Sequence, residues 1–267
     1  MTDAGDISVY AHGHHESVLR SHTWRTVENS AQYLAAHLGS GQRILDVGCG
    51  PGSLTADIAA HAPGCELVAI DASADVIAKA QRDHGDVASF ATGDIYALDA
   101  PDGHFDIVHA HQVLQHLDDP VAALREMRRV TKPGGIVAAR DADYAGMTWA
   151  PVSPPLTRWM EIYQAMTASN GHDANAGRHL LGMAQDAGFT EIETTASIWC
   201  FATPESREWW ANIWADRVRQ SGYRDHALAQ ELAEPDELEA IAAAWHAWAT
   251  ADDAVFFVPH GEIIARA

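Results

Sequence analysis

Basic residues are scarce in this chain of 267 residues. Lys and Arg number 17 against 37 Asp and Glu, for a formal net charge of −20 at pH 7. Nucleic acids and anionic membrane surfaces are held by clustered Lys and Arg, so the balance disfavours both as partners. Cysteine is scarcer still: Cys49, Cys65 and Cys200 are odd in number and far apart. That argues against a disulfide framework and suits a reducing, cytoplasmic setting. Long apolar runs are missing too, and a membrane helix requires roughly 20 such residues. The opening stretch, MTDAGDISVYAHGHHE, is polar and acidic and does not read as a secretory signal.

What is present reads as an ordinary globular protein. Hydrophobic residues make up 47% and charged residues 20%, the balance of a folded protein rather than a disordered one. The length suits one α/β domain with an insertion, or at most two small domains. Residues 1–39 turn helical after an irregular start, with Val18, Leu19, Val27, Tyr33, Leu34 and Leu38 as the apolar positions, and end at Gly39-Ser40-Gly41. Residues 43–141 then alternate. Strands are expected at 43–48, 66–71, 87–94, 105–112 and 136–141, with helices at 53–62, 73–83 and 119–130 and a turn at 131–135. Strands alternating with helices imply parallel pairing through right-handed crossovers. Beyond Trp149 the rhythm changes. Pro151, Pro154 and Pro155 interrupt the chain. Helices follow at 155–169 and 179–188, a β-rich stretch at 190–201, a Trp-rich helical stretch at 204–250, and a last strand at 254–267.

The most informative run is LDVGCGPG, Leu45–Gly52, at a strand end that opens a helix. Glycines there let the backbone approach a ligand and adopt conformations closed to other residues. The next strand ends in Asp71, a carboxylate suited to a ribose diol. The third ends in Gly93-Asp94-Ile95, an acid for an adenine amino group and an apolar side chain for a ring face. The spacing is Gly48-x-Gly50-x-Gly52 rather than G-x-G-x-x-G, and no Lys-Ser/Thr pair follows. A P-loop is thus excluded, and an adenosine without phosphates fits better than a dinucleotide.

LDVGCGPG, AIDAS, TGDIYALD, FDIVHAHQVLQHLDD and RVTKPGG together resemble the class I methyltransferases dependent on S-adenosyl-L-methionine (SAM). Within them the chain is similar to the branch with the ubiquinone and menaquinone C-methyltransferases. The leader YAHGHHESVLRSHTWRTVENSAQYL resembles a small-molecule subgroup, some of whose members methylate indole C3 of tryptophan-derived cyclodipeptides. The resemblance implies a Rossmann-like α/β fold: a seven-stranded sheet whose last strand is antiparallel, with a helical lid over 1–39. The methyltransferase domain would cover 40–267, with its core at 43–145 and substrate-covering helices near 151–175 and 204–250. It places Asp46, Gly48, Cys49, Gly50 and Gly52 near the methionine part of SAM, Asp71 and Ala72 at the ribose, and Gly93, Asp94 and Ile95 at the adenine. For Asp46 a second role is open, tying the loop down through hydrogen bonds to backbone amides.

Methyl transfer requires an acceptor held about 3–3.5 Å from the methyl, and a base only where the acceptor loses a proton. At the fourth strand's end, His111 is the first candidate for a base, a substrate hydrogen bond or a cofactor contact; packing beside the cofactor is the alternative. An Asn/Asp-Pro-Pro-aromatic tetrad and a strand-end cysteine are both missing there, which argues against methylation of nucleobases. Tyr144 follows the fifth strand and faces the same cleft by topology, as a hydrogen-bond or stacking group. The leader supplies Tyr10, His14, His15 and Arg20, expected to reach the cofactor or the transferred methyl, with Arg25 as another partner for the cofactor carboxylate. The leader's HGHH run has no zinc-like spacing, so no metal is expected. Trp210 and Trp214 share one helix face, which suits either a core or a box for a flat substrate. The expectation is an enzyme, monomeric or homodimeric, of secondary metabolism, acting with SAM on a small, largely apolar molecule. A non-catalytic SAM-binding protein is the competing class.

Overall fold

The computed structural model describes residues 22–267. The leader contributes a short helix α1 (Val27–Ser30) and a 3-10 turn (Gln32–His37). Thr26 caps α1 by a reciprocal capping box with Asn29. The expected alternation follows: β1 (Arg43–Val47), α2 (Ser53–His61), β2 (Glu66–Asp71), α3 (Ala74–His84), β3 (Ser89–Thr92), β4 (Phe105–His111), α4 (Pro120–Val130) and β5 (Thr131–Ala142). These five strands pair in parallel in the order β3-β2-β1-β4-β5. The last strand, β8 (Val255–Arg266), runs antiparallel to β5, and β7 (Ile192–Phe201) lies antiparallel along its other side.

The sheet has one strand more than the seven expected. β8 is 12 residues long, and only His260–Arg266 lie against β5. Its upstream part would present an unpaired edge, and the short β6 (Thr148–Ala150) pairs with Val255–Phe257 to cover it. The expected turn at 131–135 is instead the start of β5, with its register against β4 shifted between Phe105 and Ile107.

Each sheet face has its own apolar layer. On one, Leu45, Val108, Val137 and Ile263 pack against Leu124 and Met127 of α4 and Leu180 of α6 (Ala176–Asp186). Burial of each such side chain contributes roughly 1.5–3 kcal/mol. Asp119 starts α4 by accepting from the Ala122 N–H at 2.8 Å, with Pro120 in the first turn. Helix α6 crosses the sheet at backbone contact: a Cβ on Gly261 would stand 1.8 Å from the Gly177 carbonyl oxygen. On the other face, Ile44, Ile107, Ile136 and Ile264 meet Leu54 and Ile58 of α2 and Val27 and Leu34 of the leader.

A second core lies in the C-terminal half, among α5 (Pro154–Ser169), α7 (Pro204–Gln220), α8 (Gly222–Ala229) and α9 (Pro235–Ala249). Proline occupies the first turn of α5, α7 and α9, where its missing N–H costs no helical bond. The expected helical stretch 204–250 is three helices, because Ser221 caps α8 and Pro235 opens α9. Tryptophan fills this core. Trp159 meets Trp214 and Trp245 edge to face, with centroids 4.5 and 4.9 Å apart. Trp24 joins the leader to it, its ring 5.2 Å from Trp199 and 5.3 Å from Trp209.

Candidate active site

The loop between β1 and α2 turns three times through left-handed backbone, with φ +68° at Gly48, +56° at Gly50 and +83° at Gly52. Only glycine adopts such angles without strain. Asp71, at the end of β2, anchors the loop. One of its oxygens accepts from the Gly50 N–H and the other from the Ser73 N–H, each at 3.0 Å. The Cys49 N–H donates to the Ile70 carbonyl at 2.9 Å. Burial, then the charges of Asp46 and Asp71, push the Cys49 thiol far up, so it is no nucleophile.

Asp46 is buried, and its two oxygens accept from the Thr55 hydroxyl at 2.5 Å and the His109 Nδ1–H at 2.8 Å. In this structure the carboxylate ties α2 to β4 through these two side chains, rather than holding the loop through its backbone amides. At the adjacent strand end, Gly93 passes so close to Ile70 that a Cβ would stand 3.0 Å from it. Asp94 is exposed and accepts from the Tyr96 N–H at 2.9 Å, and Ile95 is buried beside it. Ala72 is exposed next to Asp71.

Register sets the rest of the edge. Val47 pairs with Ala110 and Arg140 with His111, so His111 stands one step beyond β1's last pair, level with the glycine loop. His111 is buried, and both its ring nitrogens lack a partner among the described residues. Burial, and then Arg25 and Arg140, hold it well below the usual histidine range, so the imidazole is neutral. Gln112 follows in left-handed backbone, φ +54°, a strained state for a residue with a side chain. Its amide links two elements: the oxygen accepts from Arg25 Nη2 at 2.5 Å, and the nitrogen donates to His260 Nε2 at 2.8 Å. His260 Nδ1 donates to the Val258 carbonyl at 3.0 Å, which leaves Nε2 as the acceptor.

Above Gln112, the side chains of Arg25, His116, Tyr144, Trp199, Trp210 and Arg217 help to enclose a chamber of about 20 Å³. That is room for one water, so an acceptor enters only if the wall moves. Tyr144 stacks on Tyr163 at 4.1 Å, and burial raises its pKa, leaving a phenol that can donate. Trp210 stacks on Phe201 at 4.4 Å while bordering the chamber. Trp214 is wholly buried behind it, against Trp159 and Trp245, and packs the helical core instead. A larger cleft of about 270 Å³ lies between α1 and β7, away from the glycine loop.

The fold thus brings together Gly48, Cys49, Gly50, Gly52, Asp71, Ala72, Gly93, Asp94, Ile95 and His111 along one sheet edge. Tyr10, His14, His15 and Arg20 lie outside the described residues. Sequence reasoning passed over Gln112 and Arg217. The spacing 210, 214, 217 on one helix was the signal for Arg217. Among the described residues, no group of three or more His, Cys, Asp or Glu could hold a metal.

These features fit a nucleoside without phosphates: a cationless glycine turn, carboxylates at two successive strand ends, and an orphaned buried imidazole facing the same edge. That defines a class of protein, the α/β folds that bind adenosyl ligands at the carboxyl ends of parallel strands. A family model described as a methyltransferase domain matches residues 45–139. An uncharacterized methyltransferase of Schizosaccharomyces pombe is 37% identical over 283 residues, covering 100% of this chain and 99% of the relative. A probable methyltransferase of Aspergillus luteorubrus, ltbC, is 29% identical, covering 99% of both. Among solved structures, Haemonchus contortus phosphoethanolamine N-methyltransferase 2 in complex with SAM aligns with a TM-score of 0.56 at 20% identity, over 93% of this chain and 56% of that one. The chain belongs to the class I SAM-dependent methyltransferases, and SAM is its cofactor.

Proposed function

We propose that the enzyme methylates a small, largely apolar aromatic molecule, with a ring carbon of an indole, as in tryptophan-derived cyclodipeptides, as the specific acceptor. The observation that carries this reading is the aromatic enclosure at the end of β4, where Tyr144, Trp199 and Trp210 wall the space next to His111. Flat faces of this kind bury a planar ligand and stabilise positive charge developing on it.

SAM, when bound, supplies a methyl group already activated by its sulfonium. The chain's part is positioning, exclusion of water and care of one proton. On this reading Asp71 with Ala72 holds the ribose, Asp94 with Ile95 the adenine, and the 48–52 turn the methionine end, aided by Tyr10, His15 and Arg20. Neutral His111 accepts a hydrogen bond or proton from the acceptor's N–H or O–H, and Tyr144 donates to it. His14 completes the candidates for proton transfer. The leader 1–39 closes over the cofactor, and the helices near 151–175 and 204–250 cover the acceptor. The chamber leaves the acceptor's polar atoms open, so O- or N-methylation of another natural product and quinone-ring methylation belong to the same class of reaction.

The test is release of S-adenosylhomocysteine with a panel of tryptophan-containing cyclodipeptides, phenols and hydroquinones, with each product's methyl located by NMR. Carbon methylation of the indole supports the specific acceptor. Turnover confined to phenols or quinols replaces it, and tight cofactor binding without turnover on any aromatic acceptor refutes the reading.

A further inference from the structure

Resting on the proposed placement of the methionine end of SAM at the 48–52 turn, we propose that Gln112 is a positioning residue for the cofactor. Its left-handed turn docks the exit of β4 onto the glycine loop, and its amide fastens the leader to β8 across that edge. Among the described residues only Glu231 shares its positive φ without being glycine, and Glu231 sits in an exposed turn after α8. Glycine would adopt the φ of +54° without strain, and asparagine or aspartate with little. Glutamine has neither advantage, so the strain is tolerated for a side chain that reaches further. The backbone is held in place from both directions. The Gln112 N–H donates to the Arg140 carbonyl at 2.7 Å, which keeps residue 112 on the ladder with β5. The chain then leaves the strand, and Val113 lies so close to the glycine loop that a Cβ on Gly48 would stand 2.4 Å from its Cγ2. Two residues on, the Gln115 N–H donates to the buried Asp141 carboxylate at 3.2 Å. The turn at 112 thus decides where one wall of the cofactor loop stands.

The amide has one orientation. His260 is buried, and burial, then Arg140 and Arg25, hold it well below the usual histidine range, so the ring is neutral. Its Nδ1–H donates to the Val258 carbonyl, so Nε2 offers only a lone pair. Gln112 therefore presents an N–H to His260 and its oxygen to the Arg25 guanidinium, a group that only donates. A flipped amide would set donor against donor at one end and lone pair against lone pair at the other. The result is a directed chain of hydrogen bonds from the leader through β4 to β8, in which each bond polarises the next. Whatever else Arg25 holds, this bond ties the leader to the edge where β4 ends. A glycine at 112 would keep the turn and lose the tie.

The test uses the full chain and S-adenosylhomocysteine, with affinity and stoichiometry read by calorimetry and release by stopped-flow tryptophan fluorescence. Gln112→Met keeps the side chain's length and the strain but not the amide; Gln112→Gly removes all three. Each should release S-adenosylhomocysteine ten-fold or more faster than the parent at unchanged stoichiometry, whereas a merely unstable protein loses stoichiometry. Gln112→Gly should melt above Gln112→Met, because it alone relieves the strain. His260→Phe should reproduce the fast release. His260→Gln, whose amide oxygen accepts in place of Nε2, should recover most of the parent's slow release. Gln112→Gly combined with His260→Phe should release no faster than either alone, since both break one chain. Should the buried His260 variants fail to fold, the two variants at half-buried Gln112 carry the test. Parental release by both Gln112 variants, while Asp71→Ala weakens binding, overturns the inference, as does a double variant whose losses add. If Asp71→Ala also binds like the parent, the placement of the cofactor at this edge fails, and the inference falls with it.

Discussion

Glu262→Gln should be among the most damaging single-atom changes in this protein. Arg140 and Glu262 pair across β5 and β8, 0% and 4% exposed, with Arg140 Nε 3.1 Å from Glu262 Oε1. Ser197 and Thr195 of β7 donate to the two carboxylate oxygens at 2.5 and 2.8 Å. The Arg140 Cζ lies 5.0 Å over the Trp199 ring. Burial pulls the guanidinium down to about 10, and the Glu262 charge opposes this, so Arg140 is charged at neutral pH. Removing the partner's charge leaves a buried cation without its counter-charge, which costs about 3–5 kcal/mol when one member of a buried pair is lost. At about 2–4 °C per kcal/mol for a chain of this size, the melting temperature should fall by roughly 6–20 °C. The double change Arg140→Met with Glu262→Leu removes both charges and should recover most of that loss. Circular-dichroism melts of parent, both single variants and the double variant make the cycle. A Glu262→Gln protein that melts with the parent would refute the account of the sheet face, because the two charges would then not be mutually required.

Three further outcomes are expected. Asp71→Ala frees the Gly50 and Ser73 amides and removes the proposed ribose contact, so calorimetric affinity for S-adenosylhomocysteine should weaken by about 1–3 kcal/mol; an unchanged Kd would misplace the ribose. Asp141 is buried, one oxygen without a partner, and burial raises its pKa from 3.8 to about 7. Its folded form prefers the proton, so the stability it contributes is complete below pH 3.8 and is lost as pH rises through about 7, by up to about 4 kcal/mol. Urea titrations from pH 4 to 8 should show Asp141→Asn gaining on the parent as pH rises, and parallel curves would contradict this. Gly261→Ala sets a Cβ 1.8 Å from the Gly177 carbonyl oxygen, backbone against backbone, and should cost about 3 kcal/mol or more, read as lost soluble yield or a lower melt.

The glycine turn and the carboxylates after β2 and β3 were legible in the sequence because each is a local event. A strand ends, a glycine allows a left-handed turn, an acid follows, and a dozen residues contain the whole pattern. The parallel core followed from the same kind of short-range rhythm. The polar face of the sheet was not legible. His109 meets Asp46 across 63 residues and Glu262 meets Arg140 across 122, and both pairings depend on strand register that no single segment encodes. Short β6 was invisible for the same reason, since it exists only because β8 overshoots β5. Helical spacing put Trp210 and Trp214 on one face, but only packing separated a ring at the chamber wall from one sealed in the core. The sequence by itself determined the glycine turn and the strand-end carboxylates proposed to hold the adenosyl ligand, through local backbone chemistry. Which side chains meet around the chamber was decided by tertiary structure, because Arg25, Gln112, Tyr144, Trp199 and Arg217 come from distant segments that become neighbours only when the helical insert docks on the sheet.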